Sequence, residues 1–162
     1  MSDNPYVLCR KLGELCMAKN LTVSLAESCT GGLVSSWITE TPGVSTWFYG
    51  SACAYSNAAK TALLGVDDKV IAREGAVSEA VAKEMASGAA SQYQSVLALS
   101  ITGIAGPLGG TIDKPVGTVC FGLFDARTGR CETLTRHYTS GRMYIRQSAA
   151  LFGLASLIQI AG

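Results

Sequence analysis

The sequence has little of what most enzyme centres are built from. It holds one histidine, His137, among 162 residues, and none of its six cysteines forms a CxxC pair. A zinc site of the usual Cys/His composition has no ligand set here, and a Ser–His pairing for acyl transfer has a single candidate base. Charge is sparse as well: Asp, Glu, Lys and Arg make up 15%, and thirteen Lys+Arg against twelve Asp+Glu leave a formal charge of +1. So weak a field does not suit nonspecific nucleic-acid binding, and neither nucleic acid nor membrane is expected as a partner. No apolar run approaches the ~18 residues of a membrane span. The start, Met1-Ser2-Asp3-Asn4-Pro5, carries no basic segment leading into an apolar one. The expectation is a cytoplasmic protein with reduced, mostly buried thiols.

Apolar residues and glycine are abundant. Hydrophobic residues reach 48%, enough for a sizeable core in one domain spanning residues 1–162, and the 18 glycines fall in clusters, as tight turns near a ligand require. Val7, Leu8, Leu12, Leu15 and Cys16 recur at helical spacing behind Pro5, which predicts a helix over residues 5–19. A strand over 22–26 should run into the turn Glu27-Ser28-Cys29-Thr30-Gly31-Gly32 and a helix over 33–40. Residues 45–55 read as a buried strand, Ser56 as the cap of a helix over 57–64, and Ser78 as the cap of a longer one over 79–93. A short helix is expected at 67–73 between them. The run at 96–101 reads as a strand ending in a second glycine-rich loop over 102–111, followed by a hairpin of 116–124 with 131–138 and a last helix to about 160. This order predicts an α/β fold, a three-layer α/β/α sandwich with one mixed β-sheet.

Ligands of such sheets gather at the carboxyl ends of the strands, and both glycine turns fall there. Ser28, at the first junction, is either a helix cap or a nucleophile beside the positive end of a helix. His137 lies inside a predicted strand, where a structural role suits it, so a base for Ser28 has to be sought among the lysines. Lys60, in Tyr55-Ser56-Asn57-Ala58-Ala59-Lys60, has the least charged surroundings of any lysine. It is either a solvated helix-face residue or an amine kept neutral by burial. Arg142 and Arg146 open the last helix, where cations oppose the dipole unless an anion or a carboxylate is near. Arg142 could face a phosphate; a salt bridge to a surface acid fits Arg146 equally well. Thr102, Gly103 and Gly106 could hold phosphate or ribose, although the loop matches neither a GxxxxGK[ST] nor a GxGxxG pattern.

Five ordered segments together resemble the CinA carboxy-terminal domain family: Ala26 to Gly32, Tyr55 to Lys60, Gly75-Ala76-Val77-Ser78-Glu79, Thr102-Gly103-Ile104-Ala105-Gly106-Pro107 and Lys114-Pro115-Val116-Gly117-Thr118-Val119. The resemblance implies a nicotinamide-nucleotide amidase that converts nicotinamide mononucleotide to nicotinate mononucleotide and ammonia in pyridine-nucleotide salvage. It implies Ser28 as nucleophile, Lys60 as its base and Tyr55 as a proton relay or orienting partner. Backbone groups of Cys29, Thr30, Gly31 and Gly32 would meet the oxyanion, and Thr102, Gly103, Gly106 and Arg142 the substrate phosphate. No metal or organic cofactor is implied, the partner is a small mononucleotide, and a homodimer or higher homo-oligomer is expected, with Trp47-Phe48-Tyr49 as an exposed aromatic stretch. The resemblance also covers silent members that keep a nucleotide pocket without turnover. Leu108, Ala58 and the sequence Ser140-Gly141-Arg142 depart from the family pattern, and these departures leave the identities of Ser28, Tyr55 and Lys60 unchanged.

Overall fold

The computed structural model describes residues 4–162. Asn4 accepts a hydrogen bond from the Tyr6 N–H, Pro5 occupies the first turn, and Asn20 closes the end in a left-handed conformation, so the first helix, α1, runs Pro5–Lys19 as its caps dictate. Then follow β1 (Val23–Glu27), α2 (Leu33–Thr39), β2 (Phe48–Cys53), α3 (Asn57–Leu64), α4 (Asp68–Glu74) and α5 (Glu79–Tyr93). The chain finishes with β3 (Leu97–Gly103), β4 (Thr118–Asp125), β5 (Arg130–His137) and α6 (Arg142–Ala161). Ser56 and Ser78 cap α3 and α5 through the Ala59 and Val81 N–H groups, as their positions predict.

The five strands form one sheet in the order β2-β1-β3-β4-β5, parallel across β2, β1 and β3 and antiparallel from β3 to β5. Helices α1, α2 and α6 cover one face and α3, α4 and α5 the other, which is the three-layer mixed architecture expected from the sequence. The first face carries the bulky core: Leu25, Leu99, Ile101 and Phe121 pack on Leu12, Leu154 and Leu157. The second is built of small residues, with Ala26, Ala52 and Ala98 against Val81, Met85 and Ala89. Helix α5 therefore lies close to the sheet; a Cβ on Gly122 would stand 2.4 Å from the Ala82 carbonyl oxygen. Among the described residues no helix is long and apolar enough to cross a membrane.

Three expectations shift. The strand predicted over 45–55 is confined to Phe48–Cys53, because Gly43 adopts a positive φ and starts a single 3-10 turn that sends Trp47 inward. Trp47 is not exposed: it is 1% accessible and lies on Gly13, where any Cβ would meet its indole at 3.2 Å. Of that aromatic trio Phe48 is half-buried and only Tyr49 is exposed. Thr102 and Gly103 belong to β3 rather than to the loop after it, since the pairing with β4 continues to Gly103 and Val119.

The topology sets the place of the site. From β1 the chain reaches β2 through α2 on one face, then returns over the other face to β3 on the opposite side of β1. Those diverging connections open a crevice at the carboxyl ends of β1 and β3, where ligands of α/β sheets collect.

Candidate active site

Alternation along β1 decides which side chains face this crevice. Leu25 and Glu27 point to the bulky face, and Ala26 and Ser28 to the face covered by α3 and α5. The Ser28 N–H donates to the Ile101 carbonyl, extending the β1–β3 pairing by one residue and holding the serine at the mouth of the crevice. From the facing helix, α3, Lys60 reaches in with 1% of its surface accessible. Its Nζ lies 3.0 Å from Ser28 Oγ, 2.9 Å from the Ala54 carbonyl oxygen and 3.1 Å from that of Tyr55.

Nζ donates to the two carbonyls and lies within hydrogen-bond distance of the Ser28 hydroxyl, close enough for a proton to pass between them. Among the described residues no carboxylate forms a salt bridge with Lys60, and burial pushes its pKa down from the ordinary lysine value. Glu27, the nearest carboxylate in sequence to Ser28, projects from the other face of the sheet and is committed there. The solvated-lysine reading is thereby set aside for the buried one.

Glu27 also alters the electrostatics that the sequence suggested. Helix α2 begins at Gly32, which has no side chain to cap it. The buried Glu27 carboxylate does so instead, accepting from the Gly32 N–H at 3.1 Å, the Val34 N–H at 3.1 Å and the Ser35 N–H at 2.9 Å. The positive end of α2 is thus filled by the chain's own anion and is not open to a substrate anion. From the sequence alone Glu27 has no assigned role. A strand residue in register with Leu25, just before a helix whose N-cap is glycine, was the signal available.

The turn between them is tight. Gly31 N–H donates to the Ser28 carbonyl at 3.0 Å, with Gly31 and Gly32 both at positive φ. Gly31 and Gly32 N–H groups are therefore engaged within the protein and are not oxyanion donors, contrary to expectation; those of Cys29 and Thr30 are the ones left beside Ser28. Among the described residues Arg146 forms no salt bridge. Its Nε donates to the Cys29 carbonyl at 3.0 Å and its Nη2 to the Thr30 carbonyl at 2.8 Å. The Cys29 thiol is buried and its pKa is pushed up to about 12, chiefly by desolvation, so it is packed rather than reactive.

Tyr55, Arg142 and the β3 end form the rim of a cleft of about 160 Å³ lined by Ser28, Lys60, Val77, Gly103 and Ala105. Arg142 donates to the Gly106 carbonyl at 2.7 Å and to the Tyr55 hydroxyl at 3.0 Å. The Tyr55 hydroxyl is therefore tied to Arg142, while its carbonyl touches Lys60. Thr102 lines the cleft but donates its hydroxyl to the Ala76 carbonyl. Gly103 is required by packing: a Cβ there would stand 2.8 Å from Val119 and 3.0 Å from the Cys29 sulfur. His137 lies on β5, its Nδ1 3.2 Å from the Thr118 hydroxyl, and does not line this cleft.

Comparison with known proteins finds relatives along nearly the whole chain. The model of the CinA C-terminal domain family matches residues 6–161. The chain is 43% identical to the nicotinamide-nucleotide amidohydrolase PncC of Escherichia coli K12, over 98% of this chain and 96% of that protein. It is 44% identical to a PncC of Enterobacter agglomerans, over 92% and 90% respectively. Against a longer CinA-like protein of Fervidobacterium nodosum the identity is 44%, and the match takes in 89% of this chain but 35% of that one. In structure it is similar to a competence/damage inducible protein from Agrobacterium tumefaciens, with a TM-score of 0.94 and 36% identity, covering 100% of this chain and 98% of the other. A family match of this extent, with relatives of this identity along nearly their whole length, shows that the chain belongs to the CinA C-terminal domain family.

Proposed function

We propose that this chain is a nicotinamide-nucleotide amidase, hydrolysing the carboxamide of nicotinamide mononucleotide to nicotinate mononucleotide and ammonia through Ser28 and Lys60. The observation that carries the reading is the buried Lys60 amine, 3.0 Å from the Ser28 hydroxyl with only carbonyls for other partners. The PncC relatives, named for the same chemistry, support it.

Neutral Lys60 takes the Ser28 proton as Oγ attacks the carboxamide carbon, and the carbonyl oxygen becomes an oxyanion facing the Cys29 and Thr30 N–H groups. As the intermediate collapses the C–N bond breaks, and the departing nitrogen takes the proton from Lys60 and leaves as ammonia. Water then attacks the acyl ester, giving one proton to Lys60, which returns it to Ser28 as the C–O ester bond breaks, and the released acid loses its remaining proton to solvent as the carboxylate. The cleft of about 160 Å³ is on the scale of a cavity that admits a single aromatic ring. The pyridine ring therefore fits the interior, with ribose and phosphate directed to the rim at Arg142, Tyr55 and the 102–106 segment. Tyr55 serves there as an orienting partner, through Arg142, rather than as a relay.

Ammonia release from nicotinamide mononucleotide tests the assignment. The parent chain turns the nucleotide over, and Ser28→Ala and Lys60→Met each lose at least ~10³-fold, the scale of removing a nucleophile or its base. Full turnover by Ser28→Ala overturns the mechanism; binding by calorimetry with no ammonia from the parent chain would make it a nucleotide-binding module instead.

A further inference from the structure

The mechanism leaves Arg146 without a part, yet its guanidinium, half-buried at the first turns of α6, is spent on two consecutive main-chain carbonyls of the turn that follows Ser28. A carbonyl and the N–H of the same planar trans peptide point in opposite directions. Holding the Cys29 carbonyl therefore aims the Thr30 N–H away from Arg146. Holding the Thr30 carbonyl aims the Gly31 N–H, which donates to the Ser28 carbonyl and thereby orients the last peptide of the set, the one carrying the Cys29 N–H. The two donors left for the oxyanion are set by one side chain from the far end of the chain. A cation on the carbonyl side of a peptide also polarises it, strengthening the N–H on the opposite side.

We propose that Arg146 is a positioning residue that aims and polarises the Cys29 and Thr30 N–H groups toward the oxyanion, while touching no part of the substrate. The proposal rests on the assignment of Ser28 as nucleophile and adds to it the origin of the oxyanion donors. It separates Arg146 from Arg142, four residues earlier, which lines the cleft. An oxyanion donor matters only when the tetrahedral intermediate forms, so losing Arg146 should act on kcat and leave ground-state binding alone.

The test uses Arg146→Met and Arg146→Lys in the full chain, with nicotinamide mononucleotide as substrate and pyridine-3-boronic acid as a tetrahedral mimic that adds to a serine hydroxyl. The expected result is a fall in kcat of about 10²-fold for Arg146→Met, the effect of one misplaced oxyanion donor, with KM within about twofold of the parent. Boronate affinity falls in step with kcat, and Arg146→Lys, which keeps the charge, recovers part of both losses. An unchanged kcat overturns the proposal. So does an equal loss in KM and kcat, or a failure of both variants to fold, since Arg146 would then hold the substrate or the fold rather than the turn. Failure of the serine assignment looks different: the parent chain then binds no boronate, or Ser28→Ala keeps full turnover, and the proposal falls with it.

Discussion

The Glu27 carboxylate offers a sharp quantitative test. It is 1% accessible and, among the described residues, is the only side chain capping α2, with Oε2 accepting from Gly32 and Val34 and Oε1 from Ser35. Glu27→Gln keeps the shape and removes the charge. In its best arrangement the amide oxygen takes the place of Oε2 and keeps two of the bonds, but the amide NH2 then faces the Ser35 N–H, donor against donor. A buried donor left unsatisfied costs about 1–3 kcal/mol. Loss of the charge at a helix N-terminus adds about 0.3–2 kcal/mol. The sum centres on about 2–4 kcal/mol, which for a chain of this length lowers the thermal midpoint by about 4–16 °C. Urea unfolding at neutral pH, followed by circular dichroism, gives the free energy directly, and the difference should survive added salt because the group is buried. Turnover should fall as well, since α2 anchors the far side of the Ser28 turn. A Glu27→Gln protein within about 0.5 kcal/mol of the parent would refute the capping argument.

Lys60 makes stability depend on pH in a definite direction. Its pKa is lower in the folded chain than in the unfolded one. The penalty is absent above the unfolded lysine value, grows as pH falls toward the folded value, and is constant below it. Wild-type stability relative to Lys60→Met should therefore rise as pH is raised through the alkaline range, in paired thermal melts; a flat difference would mean that the amine is charged when folded. By the same sign, kcat/KM for the proposed amidase rises with pH as Lys60 loses its proton. Gly88→Ala should unfold the chain or destabilise it by more than about 3 kcal/mol in urea titration, because the new Cβ would stand 2.0 Å from the Leu64 carbonyl oxygen. A near-neutral result there would refute the close α3–α5 packing. Iodoacetamide at pH 8 should label exposed Cys53 well before Cys29, whose thiol is buried and shifted to about 12; peptide mapping that finds Cys29 modified first would contradict its packing.

Most of the fold was written in local chemistry. Pro5, Ser56, Ser78 and Gly65 mark helix ends because caps and left-handed residues act within a few positions of themselves, and those ends lie where the sequence puts them. The small and apolar runs of β1 and β3 were legible for the same reason. The boundaries that moved were those set by distant partners. Trp47 turns inward to a space that Gly13 leaves open, and β3 continues to Gly103 because β4 pairs with it.

The candidate site divides along the same line. Ser28 and Lys60 could be singled out from the sequence, one by its junction with the glycines and the other by the scarcity of charge around it. The sequence alone established a hydroxyl after a strand, a lysine on a small-residue helix and no histidine suited to serve as its base. Tertiary structure decided that the two meet, since Ser28 follows β1 and Lys60 comes from a helix beyond β2 that the crossover lays on the same face. It also decided the uses of Glu27 and Arg146, because a carboxylate or guanidinium bonds whatever backbone group the fold brings near, and the partners of Arg146 lie more than a hundred residues away in the chain. Capping signals are local in sequence; the meeting of Lys60 with Ser28 is local only in space.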